Sequence, residues 1–250
     1  MTYPSRLMPN APQLPAIWRP YAEAAHGLGA RLTTSALAPG RSSSRLDDLA
    51  KRLHREIDSM MAKAFAALPE AGELACAPGC DVCCRSLPVD ALPLEIFTLV
   101  HRLDDARAEN PVLDGRLTAL AAACPAAEPS SGRTSGAPAP GSLAPCPLLA
   151  AGGLCLVYSS RPLACRGCVS ADASACAACD ETVLVPRSTA HQLGAVAMAQ
   201  GVSDALEALG LNGKPVELRL GLAFALRDTD AERRWLRGED VFATLRPASS

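Results

Sequence analysis

Cys76-Ala-Pro-Gly-Cys80-Asp-Val-Cys83-Cys84 is the stretch that decides how this chain is read. Four thiols fall within it, and a Pro78-Gly79 turn lies between the first two. Thiols two or three residues apart can converge on one metal, because a short turn brings their sulfurs together. Cys83 and Cys84 are adjacent. In extended backbone their side chains would point to opposite faces and could serve two centres. At a turn or a helix start both could reach a single cluster. The fold expected around such a stretch is a frame that holds a cysteine-rich core.

Working outward, a second group follows at Cys146, Cys155, Cys165 and Cys168, and a third at Cys176 and Cys179. All 11 cysteines lie between Cys76 and Cys179, and the remaining one, Cys124, reads as packing in an alanine-rich helix. An odd total does not make a fully paired disulfide framework. In a reducing compartment, clustered cysteines are metal ligands or redox groups more often than staples. Zinc and iron–sulfur clusters each take about four thiolates per centre. The clustered thiols therefore exceed the needs of one centre: either two centres form, or some thiols stay free. The chain has only 4 histidines. His26 lies near the start, and His54, His101 and His191 fall on predicted helices, so ligation by sulfur alone is expected. Zinc and an iron–sulfur cluster both suit that set.

Composition restricts the function classes. Hydrophobic residues make up 49% of the chain and aromatics only 4%. Alanine supplies much of the apolar share, which favours close helix packing over sheet. Arginine outnumbers lysine heavily, a bias that suits a GC-rich bacterial genome. Net charge is −2, and residues 76–185 carry seven basic and eleven acidic side chains. A nucleic-acid partner needs cations to displace counterions, and this region has the opposite balance. No apolar run reaches the length of a membrane span. Pro4 and Pro9 interrupt the start, where an apolar signal segment would lie. A cytoplasmic protein with no membrane and no nucleic-acid partner is expected.

The expected fold is mainly α: a helical frame around an irregular cysteine-rich core, with one or two short β-strands. Residues 1–41 are rich in Pro, Ala and Gly and read as an extended, poorly ordered arm, anchored by Trp18 and Tyr21. Residues 42–250 read as one helical cysteine-cluster domain, with 76–179 as its core and 125–145 as a linker or surface loop inside it. Ser44-Arg-Leu-Asp47 predicts a capped helix start. Leu46, Leu49, Leu53, Ile57, Met60, Ala64, Phe65 and Leu68 then form one apolar stripe. Pro93 opens a second helix with a face on Leu94, Phe97, Val100 and Leu103. Further helices are predicted over 112–124, 188–209 and 216–226, with a last turn over 230–237. Strands are predicted at 154–158 and 182–185.

Cys80-x-x-Cys83-Cys84 with Cys76 before it, followed by a short extended piece and a helix bearing Glu95, resembles the opening of the YkgJ-type cysteine-cluster family. That family is described as a zinc- or iron-chelating domain and is known by a CxxCxxCC pattern. Cys146-Pro-Leu-Leu149, then Gly153-Leu-Cys155-Leu-Val-Tyr158, then Arg161-Pro-Leu-Ala-Cys165-Arg166 is similar to its second signature. The likeness covers about residues 76–168. It departs at Cys76, which stands one residue further from Cys80 than the pattern has. The resemblance implies metal ligation by Cys80, Cys83, Cys84, Cys146, Cys155 and Cys165, with Cys76 close behind; Cys168, which extends the second group beyond the family pattern, is expected to join them as a ligand. Cys176 and Cys179 have no assigned place.

Arg161 and Arg166 are expected beside the bound group. A four-thiolate zinc or [4Fe–4S]²⁺ site carries about −2, which guanidinium groups offset while donating to sulfur. Tyr158 reads as core packing. The function expected is a metal-binding protein with a zinc or iron–sulfur centre, acting in redox work, metal handling or support of a protein-modification enzyme. Its partners would be the metal or cluster and a partner protein. One alternative is an iron–sulfur-dependent enzyme related to flagellin lysine N-methylases, in which the same domain occurs. Another is a thiol–disulfide redox protein that uses Cys80 and Cys83, or Cys176 and Cys179, as a reactive pair.

Overall fold

The computed structural model describes residues 16–68, 73–108, 110–122, 145–177 and 188–246. It is mainly helical. In chain order the helices are α1 (Arg19–Leu37), α2 (Ser43–Ala66), α3 (Val82–Ser86), α4 (Pro93–Arg107), α5 (Pro111–Ala122), α6 (Leu163–Gly167), α7 (Ala173–Ala177), α8 (Thr189–Ala208), α9 (Leu218–Arg227) and α10 (Ala231–Leu236). Two strands, β1 (Asp90–Ala91) and β2 (Val216–Glu217), pair antiparallel with Asp90 opposite Glu217. No helix among the described residues is long and apolar enough to cross a membrane.

Helix α2 follows its sequence pattern as far as Ile57; beyond it Met61 is buried in place of the expected Met60, and Ala64, Phe65 and Leu68 are only half-buried. Leu46, Leu49, Leu53, Ile57 and Met61 are buried along one face, each side chain contributing about 1.5–3 kcal/mol. The cap differs from expectation: Ser42, two residues earlier than predicted, accepts the Arg45 N–H. Helix α4 begins at Pro93, as expected. Its Phe97 joins Trp235, Phe242 and Phe224 in one aromatic cluster, with ring centroids 5.5–5.6 Å apart.

The expected N-terminal arm is corrected by helix α1. Residues 19–37 are helical and pack along α8 as part of the body. Glycine and alanine make this contact possible, because small side chains let two backbones approach. A Cβ on Gly201 of α8 would stand 2.0 Å from the His26 carbonyl of α1. Tyr21 locks the pair by donating its hydroxyl proton to the Ala190 carbonyl at 2.9 Å. The composition that read as disorder is what lets these helices meet. Residues 1–15 of the arm, most of the 125–145 linker and the predicted strand at 182–185 lie outside the described residues.

The strand expected over Leu154–Tyr158 does not form. Only Cys155 pairs, in a single bridge with Leu149, and 3-10 turns flank it at Ala151–Gly153 and Tyr158–Ser160. The chain folds back on itself: Ala150 donates to Leu154, and Leu156 to Leu148, at 2.7 and 2.9 Å. The alternating apolar residues of this loop face solvent, with Leu154 and Tyr158 each 52% exposed. Tyr158 is therefore a surface residue and not core packing.

Candidate metal centre

Three short segments carry the sulfurs. The first turns at Pro78-Gly79, where Cys80 donates to the Ala77 carbonyl at 3.0 Å. It then enters α3, which places Cys83 and Cys84 in a helical start. There the two side chains diverge by about 100°, not to opposite faces. The second segment is the tight hairpin from Cys146 to Cys155. The third is Pro162, α6 with Cys165, the following Cys168, and α7 with Cys176.

These segments are clamped backbone to backbone. Cys146 donates its N–H to the Cys84 carbonyl at 2.8 Å, and Ala75 donates to Ser170 at 2.9 Å. Gly153, at φ +77°, lies so close to Gly79 that a Cβ there would stand 2.4 Å from the Gly79 oxygen. The helical frame reaches in from two sides. Arg116 of α5 donates to the Pro147 and Leu149 carbonyls at 2.6 and 2.8 Å. Glu95 of α4, fully enclosed, accepts the Leu92 N–H at 2.9 Å and the Leu163 N–H at 2.7 Å. One carboxylate thus starts α4 and fixes α6, the carrier of Cys165. Burial pushes the Glu95 carboxyl up to about 7, against the pull of the Leu163 and Leu92 donors and of Arg166.

Several of the sulfurs come near one another as a result. Cys83 hydrogen-bonds to Cys168 and to Cys84, and those bonds hold its thiol well below the usual range. The same bond with Cys83, followed by burial and the nearby Cys83, Cys146 and Cys165, pushes Cys84 up. Burial also pushes up Cys165, Cys146, Cys155 and Cys76. Backbone N–H groups oppose it at three of these. Ser170 donates to Cys76 Sγ at 3.2 Å, Leu148 to Cys146 and Val157 to Cys155. Cys76 is therefore held in place despite its longer spacing.

The two arginines have different surroundings. Arg161 lies 3.8 Å above the Tyr158 ring, and its charge favours the thiolates of Cys83, Cys155 and Cys165. Arg166 is buried, and its bonds go to oxygen. Nε donates to the Arg161 carbonyl at 2.9 Å, one amino group to Asp58 Oδ2 at 2.6 Å, and the other to the Ser159 carbonyl. Arg166 thus ties the cysteine loops to α2, whereas Arg161 supplies charge to the sulfurs. His54 and His191 are both buried, and burial lowers both, His54 to about 3; that favours the neutral imidazole, the form that ligates metal, but among the described residues neither stands in a group that could hold a metal ion.

The structure brings Cys76, Cys80, Cys83, Cys84, Cys146, Cys155, Cys165 and Cys168 into one region, and it adds Cys176. With Cys76, Cys80, Cys83 and Cys168, buried Cys176 lines a half-open hollow whose other walls are Val82, Val169 and Ser170. Its signal in the sequence is its C-x-x-C spacing to Cys179 and its closeness to Cys168. Cys124 and Cys179 lie outside the described residues. None of the nine described cysteines is in a disulfide. Among the described residues, no three His, Cys, Asp or Glu side chains stand around one point closely enough to hold an ion as they are. The donor set nevertheless fits a thiophilic metal or cluster in kind: many soft sulfurs, backbone donors aimed at them, and a guanidinium beside them. Comparison with family models, with curated proteins and with solved structures found no match to this chain.

Proposed function

We propose that this chain is a metal-binding protein that holds a zinc or iron–sulfur centre on its cysteines, as its resemblance to the YkgJ-type cluster domain implies. The observation that carries this reading is the set of backbone N–H groups donating to the sulfurs of Cys76, Cys146 and Cys155. A donor aimed at sulfur strengthens when the sulfur becomes a thiolate, the form that binds metal. When bound, zinc would close the loops into a fixed shape, and an iron–sulfur cluster would add electron transfer.

The chain's own residues do the rest. Arg161 offsets thiolate charge, Glu95 holds α6 in register, and Arg166 and Arg116 tie the loops to the frame. The role is redox work, metal handling or support of a protein-modification enzyme, in the reducing cytoplasm, with the metal and a partner protein as partners. Kinship with flagellin lysine N-methylases receives less support. Among the described residues, no strand leads into a glycine-rich turn and a helix of the kind that cradles a nucleotide.

Anaerobic purification of the full chain tests the proposal. Iron with absorption near 400 nm identifies a cluster; colourless protein with tightly held zinc identifies a closed site. Protein with neither metal overturns the reading.

A second reading rests on the placement of Cys83 and Cys168 together in the wall of the hollow. Two neighbouring thiols can exchange with a disulfide, with two electrons and two protons leaving to an acceptor disulfide. This pair is not the C-x-x-C couple expected from sequence. Mass spectrometry that finds a reversible Cys83–Cys168 bond in metal-free protein supports it; finding neither residue linked excludes it.

A further inference from the structure

The helical frame carries a second, polar hollow away from the sulfurs. Asp47, Lys51 and His54 stand on successive turns of one face of α2, and Thr98 and Arg102 one turn apart on α4. Ser160, from the cysteine loops, closes the side, and these residues line the hollow together. His54 is only 8% exposed, yet among the described residues no hydrogen bond reaches its ring. Its nitrogens are not sealed in, because Glu232 Oε1 is the one sealed side-chain atom without a partner among the described residues. They therefore open on the hollow, where a buried polar group needs a ligand to satisfy it. The charge around them is positive. Arg102 makes no ion pair among the described residues, and Lys51 has only the exposed Asp48 at 3.7 Å. Burial keeps the His54 ring neutral, and Arg166 and Arg161 add to it. The one acid in the lining, Asp47, is held at 2.9 Å by His101, which carries a positive charge between Asp47 and Glu232.

We propose that this hollow binds a small oxyanion, a phosphate or the head of a phosphomonoester. The enclosed space is about 10 Å³, room for one oxygen atom. One oxygen of the anion enters and accepts from the His54 ring and the Ser160 hydroxyl. The others stay at the mouth against Lys51 and Arg102, where two cations favour a dianion over a carboxylate. Thr98 already donates its hydroxyl to the Glu95 carbonyl at 3.1 Å, so it serves as wall. The bound anion joins α2, α4 and the Tyr158–Ser160 turn. Arg166 ties the same turn to α2 through the Ser159 carbonyl and Asp58. The anion thus steadies the loop that leads to Arg161 and Cys165. The site does not depend on the metal-binding reading.

Inorganic phosphate serves as the probe. The isotope-labelled full chain, purified without oxygen, is titrated with sodium phosphate at neutral pH and constant ionic strength, and the histidine ring nitrogens are followed by NMR. A saturable shift is expected at His54 and none at His26, which pairs with Asp204. Arg102→Ala and Lys51→Ala should each weaken binding about tenfold. Arg55→Ala removes an exposed charge of α2 outside the hollow and should leave binding unchanged. All three side chains are exposed, so the fold does not rest on them. A parallel titration with phenyl phosphate separates the sources: binding at least as tight as that of phosphate identifies a phosphomonoester, and weaker binding identifies the free anion. A His54 shift that sodium chloride reproduces at equal ionic strength overturns the proposal. So does the absence of any shift at His54, or binding that Arg102→Ala and Lys51→Ala leave intact.

Discussion

Gly153 stands against the backbone of Gly79, so close that a Cβ on Gly153 would lie 2.4 Å from the Gly79 oxygen. This contact seats the hairpin that carries Cys155 on the turn that leads to Cys80. Only a residue without a side chain fits there, and the positive φ of Gly153 adds a second reason for glycine.

Gly153→Ala should therefore push the two cysteine segments apart. The expected result is a loss of most of the bound metal and a fall in thermal midpoint of several degrees. Gly152 is a matched control. It has φ +75° but nothing within 4 Å of its added Cβ, so Gly152→Ala costs only the left-handed strain of about 1–2 kcal/mol. Metal content measured on both variants checks the prediction: Gly152→Ala keeps its metal and Gly153→Ala does not.

Glu95 links α4 to α6 through its two accepted N–H bonds. Glu95→Gln keeps the size but turns one accepting oxygen into an amide donor, so one buried N–H loses its partner. The expected cost is about 1–3 kcal/mol, read as a lower urea midpoint, together with faster hydrogen exchange at Leu163. Unchanged exchange at that amide would mean that α6 is held by other contacts.

The two arginines should separate cleanly. Arg161→Ala leaves stability within about 0.5 kcal/mol but weakens thiolate formation at Cys83, Cys155 and Cys165, so metal binding shifts to higher pH. Arg166→Ala breaks three bonds to oxygen and costs about 1–3 kcal/mol. Its partner Asp58 is half exposed, which keeps the loss below that of a fully buried pair. Zinc affinity against pH, measured beside thermal unfolding, distinguishes the two effects.

His101 bridges Glu232 of α10 and Asp47 of α2, at 2.6 and 2.9 Å. The Glu232 bond, with Asp47 behind it, raises its pKa from 6.5 to about 9, against the opposing effect of burial. A folded-state pKa above the unfolded one gives stability that is fully present below about pH 6.5 and is lost as pH rises through 9. The melting temperature of the wild type should fall across that window by several degrees more than that of His101→Gln. Equal slopes would place the proton elsewhere.

Much of the frame is legible in the sequence, because a helix that buries one stripe must repeat it. Leu46 to Ile57 and the Pro93 start show this directly. Helix α1 is hidden because its contact with α8 depends on small residues such as Gly29 and Gly201, which carry no apolar period. The 154–158 loop misleads in the opposite way: its alternation matches a strand, but among the described residues no partner strand lies beside it, and the hairpin turns Leu154 and Leu156 outward. The grouping of the cysteines is legible in their short spacings, but the spacing does not say that Cys176 lines the same hollow as Cys76 and Cys80. The residues that hold the cysteines in place are not legible. Glu95 and Arg116 act across long sequence separations, and nothing local marks an acid in an apolar run as an anchor for a loop near Leu163.

X-ray absorption at the metal edge, on full-length protein purified without oxygen, tests the central claim most directly. The account predicts zinc or iron surrounded by sulfur alone, at about 2.3 Å. A shell of oxygen or nitrogen around the metal, or a preparation with neither metal to measure, would contradict it.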